Sequence, residues 1–296
     1  MDLALPVLGG LGLFLYGMNI MGYGLEKAAG NKLKKMIEAL TANRFKGILV
    51  GTFVTMLIQS SSATTVMVVG FVNAGIMTLP QAIGVIMGAN IGTTITAQLI
   101  AFKLTDWAPL AVAIGVAIWI GAKNKKAKTY SEILIGFGIL FIGMDMMGDG
   151  LKPLAELPAF TNIIMSLNNP VMGMLVGLGL TTIVQSSSAS VGLLQALAGQ
   201  GFVNMNMAFP ILFGENIGTT TTALISSIGA SRTAKRAAMI HLLMKVIGTL
   251  IFMTLLRYPI EAFVTRITPD DVVRQIANAH TTFNVINTII LFPFAS

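Results

Sequence analysis

The sequence contains no cysteine, which excludes disulfides, thiolate metal sites and thiol catalysis. Charge is also scarce: Asp, Glu, Lys and Arg make up 10% of the 296 residues, against about 25% in soluble domains. So little charge cannot cover a soluble surface of this size. Two histidines are too few for a histidine-only metal cage. What remains is apolar, 54% of the chain with a mean hydropathy of +0.80. The chain reads as an integral membrane protein. Its net charge of +7 does not point to nucleic acid. The basic residues cluster between apolar stretches, where positive charge reports membrane orientation. The first apolar segment, Leu3 to Leu25, has no basic n-region and no Ala-x-Ala site, and reads as a membrane helix.

An internal repeat organises the rest. Gln59-Ser60-Ser61-Ser62-Ala63 recurs as Gln185-Ser186-Ser187-Ser188-Ala189, displaced by 126 residues. Asn90-Ile91-Gly92-Thr93-Thr94 recurs as Asn216-Ile217-Gly218-Thr219-Thr220 at the same displacement, and so does Gly17-Met18 as Gly143-Met144. Separated anchors sharing one offset without gaps mark a duplication. Lys and Arg then orient the halves. The segment from Glu26 to Lys46 holds Lys27, Lys32, Lys34, Lys35, Arg44 and Lys46, whereas its counterpart holds only Lys152. Ser231–Arg236 is basic, while its partner around Lys103 to Pro109 carries one Lys and one Asp. The junction Lys123–Lys128 is basic too. Equivalent loops therefore belong on opposite sides of the membrane, as in many secondary transporters.

The expected fold is an all-α integral membrane protein: an inverted-topology repeat with two re-entrant Gln-Ser-Ser-Ser helical hairpins and about seven transmembrane crossings. The first repeat covers 1–125: a crossing at Leu3–Leu25, a hairpin at Gly47–Ala74, and crossings at Pro80–Ala101 and Trp107–Gly121. The second covers 126–256, with Ser131–Leu151, a hairpin at Val171–Gly199, Met205–Ile228 and Ala237–Leu256. Residues 257–296 form an outer loop and a terminal crossing at Ile276–Phe292. This places the N-terminus outside and the C-terminus in the cytoplasm, in a cell (plasma or inner) membrane. Gly47–Ala74 is long enough to cross once. The re-entrant reading keeps the crossings odd, and a Gln with three Ser suits a lipid-facing helix poorly.

The motifs carry a chemistry. A Gln-Ser-Ser-Ser turn between two short helices frees amides at a helix N-terminus, where they and the dipole attract an anion. Two such tips facing one cavity suit a small oxyanion: phosphate, sulfate or a carboxylate. In the second motif, Gly88, Asn90 and Gly92, with Gly214, Asn216 and Gly218, are expected to loosen their helices. Loosened carbonyls, Asn oxygens and Thr hydroxyls are hard ligands suited to sodium. Ser, Thr and Gly also mediate ordinary helix packing. Duplication at fixed spacing favours the transport reading. Glu215 replaces Ala89 in the second copy, and an intramembrane acid is costly unless it serves a function or reaches water. Asp145 and Asp149 read as snorkelling to water. Lys245 sits mid-helix and needs a partner or a cavity. His241-Leu-Leu-Met-Lys245-Val-Ile-Gly-Thr249 reads like His280-Thr-Thr-Phe-Asn284-Val-Ile-Asn-Thr288, which fits a shared helix-packing role.

Gln59-Ser-Ser-Ser and Gln185-Ser-Ser-Ser, with Gly88-Ala-Asn-Ile-Gly-Thr-Thr94, Gly214-Glu-Asn-Ile-Gly-Thr-Thr220 and the closing Ala279-His-Thr-Thr-Phe-Asn284, resemble the type II sodium–phosphate cotransporter family, in its bacterial branch. The resemblance spans essentially the whole chain. It implies a non-enzymatic transporter that symports inorganic phosphate with sodium by alternating access. By position, Ser60, Ser61, Ser62, Ser186, Ser187 and Ser188 would hold phosphate. Gln59, Gln185, Asn90, Thr93, Thr94, Asn216, Thr219 and Thr220 would border sodium. No cofactor is implied beyond sodium as coupling ion and only metal. The expected partners are phosphate, sodium and the lipid bilayer, with homo-oligomerisation left open. The family pattern leads one to expect Phe-Asn where Met244-Lys245 stands, so any ligand role at position 245 departs from it. Rival readings are a sodium-coupled carrier of sulfate or a dicarboxylate, an ion channel, and an intramembrane serine hydrolase using Ser61 or Ser187. The last lacks a Gly-x-Ser-x-Gly elbow.

Overall fold

A computed structural model describes residues 4–30, 36–37, 43–102, 104–153 and 157–294. Lys32, Lys34, Lys35 and Lys103, used above to orient the loops, lie outside the described residues. Among the described residues every regular element is helical. In chain order they are α1 (Ala4–Ala29), α2 (Arg44–Ile58), α3 (Ser61–Asn73), α4 (Leu79–Gly92), α5 (Thr94–Ile100), a short 3₁₀ turn (Leu104–Trp107), α6 (Ala108–Gly121) and α7 (Lys125–Leu151). There follow α8 (Pro158–Ser166), α9 (Pro170–Val184), α10 (Ser187–Gly199), α11 (Met205–Gly218), α12 (Thr220–Ser226) and α13 (Arg232–Ile251). A π-helical turn (Phe252–Leu256) leads into α14 (Arg257–Ile267), and α15 (Val272–Leu291) is the last long helix.

The 126-residue displacement holds in the backbone as well. Helices α2 to α5 and α9 to α12 begin and end at equivalent residues throughout. Local chemistry explains the shared boundaries. Asn43 and Asn169 cap α2 and α9 by accepting from backbone amides in the first turn. Thr78 and Gln81 form a capping box on α4, and Asn204 caps α11 in its place.

Glycine sets how closely these helices pack. A Cβ at Gly88 would lie 2.0 Å from the Ile48 carbonyl oxygen, and one at Gly214 would lie 1.9 Å from that of Met174. Gly92 and Gly218 likewise have no room for a Cβ, against Thr52 and Thr181. The expectation that these glycines loosen their helices is therefore corrected. The helical hydrogen bonding continues past them, with the Thr93 and Thr219 amides bonded to Ala89 and Glu215. What the missing side chains permit is backbone contact between α2 and α4 and between α9 and α11.

Helices α1 and α7 meet in the same way. Gly10 lies against Gly143 and Gly17 against Gly136, so the two helices run antiparallel. Gly136 and Gly143 are the counterparts of Gly10 and Gly17 at the 126-residue displacement. The contact is thus self-complementary, like that of a two-fold pair.

Among the described residues five helices are long and apolar enough to cross a membrane: Leu5–Ala29, Leu79–Ile100, Leu104–Gly121, Lys125–Leu151 and Arg232–Ile267. A sixth is added if α8 and α9, bent by 101°, count as one span. Seven were expected. The differences arise at Met205–Ile228, which carries Asn206, Glu215, Asn216 and four consecutive threonines from Thr219, and at Val272–Leu291, which carries Arg274, Asn278, His280, Asn284 and Asn287. Helices enclosed by protein need not be apolar all round. The stretch from 257, expected as a loop, begins with α14, reached through the π-turn. Outward-facing Leu110, Ile114, Trp119 and Ile120 on α6 give that helix an apolar exterior that suits lipid.

Candidate functional site

Both Gln-Ser-Ser-Ser segments break their helices identically. Gln59 and Gln185 adopt the left-handed conformation, with φ of 59° and 57°. A non-glycine residue there costs on the order of 1 kcal/mol. The side chains offset that cost. Gln59 Nε2 donates to the Met56 carbonyl and Gln185 Nε2 to that of Thr182. Thr96 Oγ1 donates to Gln59 Oε1 at 2.6 Å, and Thr222 Oγ1 to Gln185 Oε1 at 2.9 Å. Ser60 and Ser186 then cap α3 and α10, accepting from the amides of Ala63 and Ala189. Thr55 and Thr64 hydroxyls meet at 2.9 Å across the first break. Nine residues of continuous helix would hold them about 13 Å apart, so the chain turns sharply.

The two breaks line one cavity of about 500 Å³. All six serines border it, as do Gln59 and Gln185. Helix α1 supplies the remaining wall with Asn19, Tyr23 and Glu26. Among the described residues no Lys or Arg lines the cavity. Its donors are neutral: serine hydroxyls, and the first-turn amides of α3 and α10 that have no helical acceptor. Directed donors of this kind can hold an oxyanion without a fixed countercharge.

The second motif lies behind this cavity and not in its wall. Thr93 Oγ1 is 3.5 Å from both Ser61 Oγ and Ser188 Oγ, and Ser188 also donates to Thr96 at 3.3 Å. Ser188 thereby ties the second copy to the first. Thr94 donates back to the Ile91 carbonyl of α4, and Thr219 and Thr220 to the Glu215 and Ile217 carbonyls of α11. Asn90 and Asn216 are both read by α13. His241 Nε2 lies 3.1 Å from Asn90 Oδ1, and Lys245 Nζ donates to Asn216 Oδ1 at 2.7 Å. Positions i and i+4 share one face of a helix, so a single face of α13 holds both motif copies. Glu215, fully buried, has no hydrogen-bond partner for either carboxylate oxygen among the described residues.

Sequence reasoning missed Thr96, Thr222, Thr55 and the α1 residues of the wall. Thr96 and Thr222 also stand 126 residues apart, so the repeat alignment contained their signal. Asn19, Tyr23 and Glu26 had none, since no motif marks them.

The sequence profile of the family described as Na+/Pi-cotransporter matches residues 13–149 and again residues 142–267. The chain belongs to that family. Each half thus matches the same profile. Among curated relatives, the uncharacterized protein YqeW of Bacillus subtilis is 29% identical over 96% of this chain and 92% of its own length. YjbB of Escherichia coli, named for inorganic phosphate export, is 26% identical over 98% of this chain. The chain spans about half of YjbB, 53% of its length. Sodium-dependent phosphate transport protein 2A of Rattus norvegicus is 22% identical over 83% of this chain and 60% of its own length. No solved structure matches the chain. The family so described is one of phosphate transport, and the apolar helices suit a membrane protein.

Proposed function

We propose that the protein is a sodium-coupled symporter of inorganic phosphate that works by alternating access. The observation carrying the proposal is the single cavity bordered by both Gln-Ser-Ser-Ser breaks. Phosphate sits between the two breaks, accepting from Ser60, Ser62, Ser186, Ser187 and the free first-turn amides, while Ser61 and Ser188 join only by releasing the threonine oxygens they now donate to. A neutral donor set needs a cation to offset the anion, and the relative 2A is named as sodium-dependent. Sodium is bordered by Gln59, Thr93 and Thr94 in the first copy and by Gln185, Thr219 and Thr220 in the second. Asn90 and Asn216 join these sets only by releasing the α13 donors they now accept from.

The inverted arrangement belongs to the same proposal. Antiparallel packing of the counterpart helices α1 and α7 supports it. So does the asymmetry of Lys and Arg between equivalent loops. Helices α2–α3 and α9–α10 are then re-entrant hairpins entering from opposite faces, with seven crossings, the N-terminus outside and the C-terminus inside. In each state one face of the cavity opens, and the hairpins move against the other helices. Direction of flux follows the gradients. YjbB is named for export and 2A for sodium-dependent transport, and a reversible symporter accommodates both.

The test is phosphate accumulation in proteoliposomes under an inward sodium gradient, with competition by sulfate and dicarboxylates. Competition only by phosphate and its close analogues is expected. Preferential competition by sulfate would transfer the cavity to another anion.

A further inference from the structure

Lys245 is 1% exposed, in the interior of the protein. Its ammonium donates at 2.7 Å to two carboxamide oxygens, Asn216 Oδ1 on α11 and Asn284 Oδ1 on α15. The ring of Phe283 faces it at 5.5 Å from the centroid. Among the described residues no carboxylate forms an ion pair with it. A buried cation is costly unless oxygens or opposite charge replace its water. Here neutral oxygens converge from two helices, the donor set that a hard monovalent cation would use. The carboxamides are themselves held: Asn216 Nδ2 donates to the Leu212 carbonyl and Asn284 Nδ2 to that of His280. Both oxygens are therefore aimed at the ammonium by the fold.

The first copy provides the contrast. There Asn90 meets the neutral-donor partner His241 one helical turn earlier on α13. The α13 segment His241–Thr249 also reads like the α15 segment His280–Thr288, in which the residue at the place of Lys245 is Asn284. One cationic side chain thus stands where the related helix has a neutral oxygen ligand.

We propose that Lys245 is a built-in cation that occupies a monovalent-cation site formed by Asn216 and Asn284 in the second half. A tethered ammonium stays with the protein through the cycle, so this site contributes no transported ion. Removing the ammonium opens the site to sodium. The proposal deepens the symporter reading and rests on it only for its transport readout.

Two measurements test it. In proteoliposomes, the ratio of sodium to phosphate entering should rise by one ion in Lys245→Asn relative to the parent protein, and stay unchanged in Lys245→Arg. An unchanged ratio in Lys245→Asn with phosphate uptake retained overturns the proposal. In detergent, without phosphate, thermal unfolding of Lys245→Asn should rise more steeply with sodium concentration than that of the parent, because an added site binds only the folded form. Equal slopes overturn it. Should Lys245→Asn not accumulate folded, Asn284→Ser in the parent background decides. A half-saturating sodium concentration unchanged from the parent supports the proposal, and a several-fold rise overturns it. Absence of sodium-driven uptake in the parent counts against the symporter reading alone. The unfolding slopes then still decide the role of Lys245.

Discussion

In the first half of the molecule Asn90 accepts from an imidazole, and in the second its equivalent Asn216 accepts from an ammonium. The same contrast recurs nearby. Ala89 becomes Glu215, and the Thr55–Thr64 hydroxyl pair of the first break becomes a Thr181 with no partner among the described residues in the second. Ser188 bonds Thr93 and Thr96 across the halves, whereas Ser62, its counterpart, is half-buried at the cavity. Backbone breaks, caps and glycine contacts are kept in both copies. The polar partners behind them have diverged. Duplication fixed the frame, which both halves need to form one cavity. Those partners were left free to specialise, so two equivalent positions need not hold the same group.

The largest expected effect tests the shared frame. Gly88→Val and Gly214→Val each drive a side chain into a carbonyl oxygen, at 2.0 and 1.9 Å even for the first carbon. Both should exceed the ~1–3 kcal/mol of ordinary overpacking and abolish monodisperse protein in detergent. Survival of one but not the other would break the equivalence of the halves. Next come the breaks. Gln59→Ala and Gln185→Ala each remove the acceptor of a threonine hydroxyl and leave a non-glycine left-handed turn without its side-chain support. A loss of roughly 1.4 kcal/mol at each predicts about a tenfold fall in sodium-driven phosphate uptake. Unchanged uptake in both variants would remove the breaks from the transport site.

Smaller effects sharpen the differences. Ser188→Ala deletes bonds between the halves and should lower the melting temperature by an amount corresponding to about 1 kcal/mol. Ser62→Ala should raise the half-saturating phosphate concentration and leave melting unchanged. The reverse pattern would exchange their roles. The mildest pair is Thr55→Val and Thr181→Val. Thr55 donates to Thr64 and its loss should cost about 1 kcal/mol, whereas Thr181 Oγ1 is buried without a partner and its replacement by a methyl should be neutral or stabilising. Chemical denaturation of both variants measures the difference.

Much of this frame was legible in the residues. The fixed displacement of 126 located both breaks, both Asn-Ile-Gly-Thr-Thr motifs and the helix boundaries around them, because a duplicated helix pattern repeats its caps and turns. The role of Gly88 and Gly214 is not legible there. A glycine in a helix reads as flexibility from sequence, whereas close backbone contact depends on which helix lies beside it. The expected seven crossings rest on apolar length, and α11 and α15 carry polar residues on faces that neighbouring helices cover. The pairing of His241 with Asn90 and of Lys245 with Asn216 spans 151 and 29 residues, and no local pattern announces it.

The most direct measurement is accumulation of radiolabelled phosphate in tight proteoliposomes containing folded protein, with an inward sodium gradient and with potassium in place of sodium. Concentration of phosphate above the external level with sodium alone is the predicted result. Equal, gradient-independent entry in both salts would contradict coupling and leave the two serine breaks facing a cavity that passes its anion by another route.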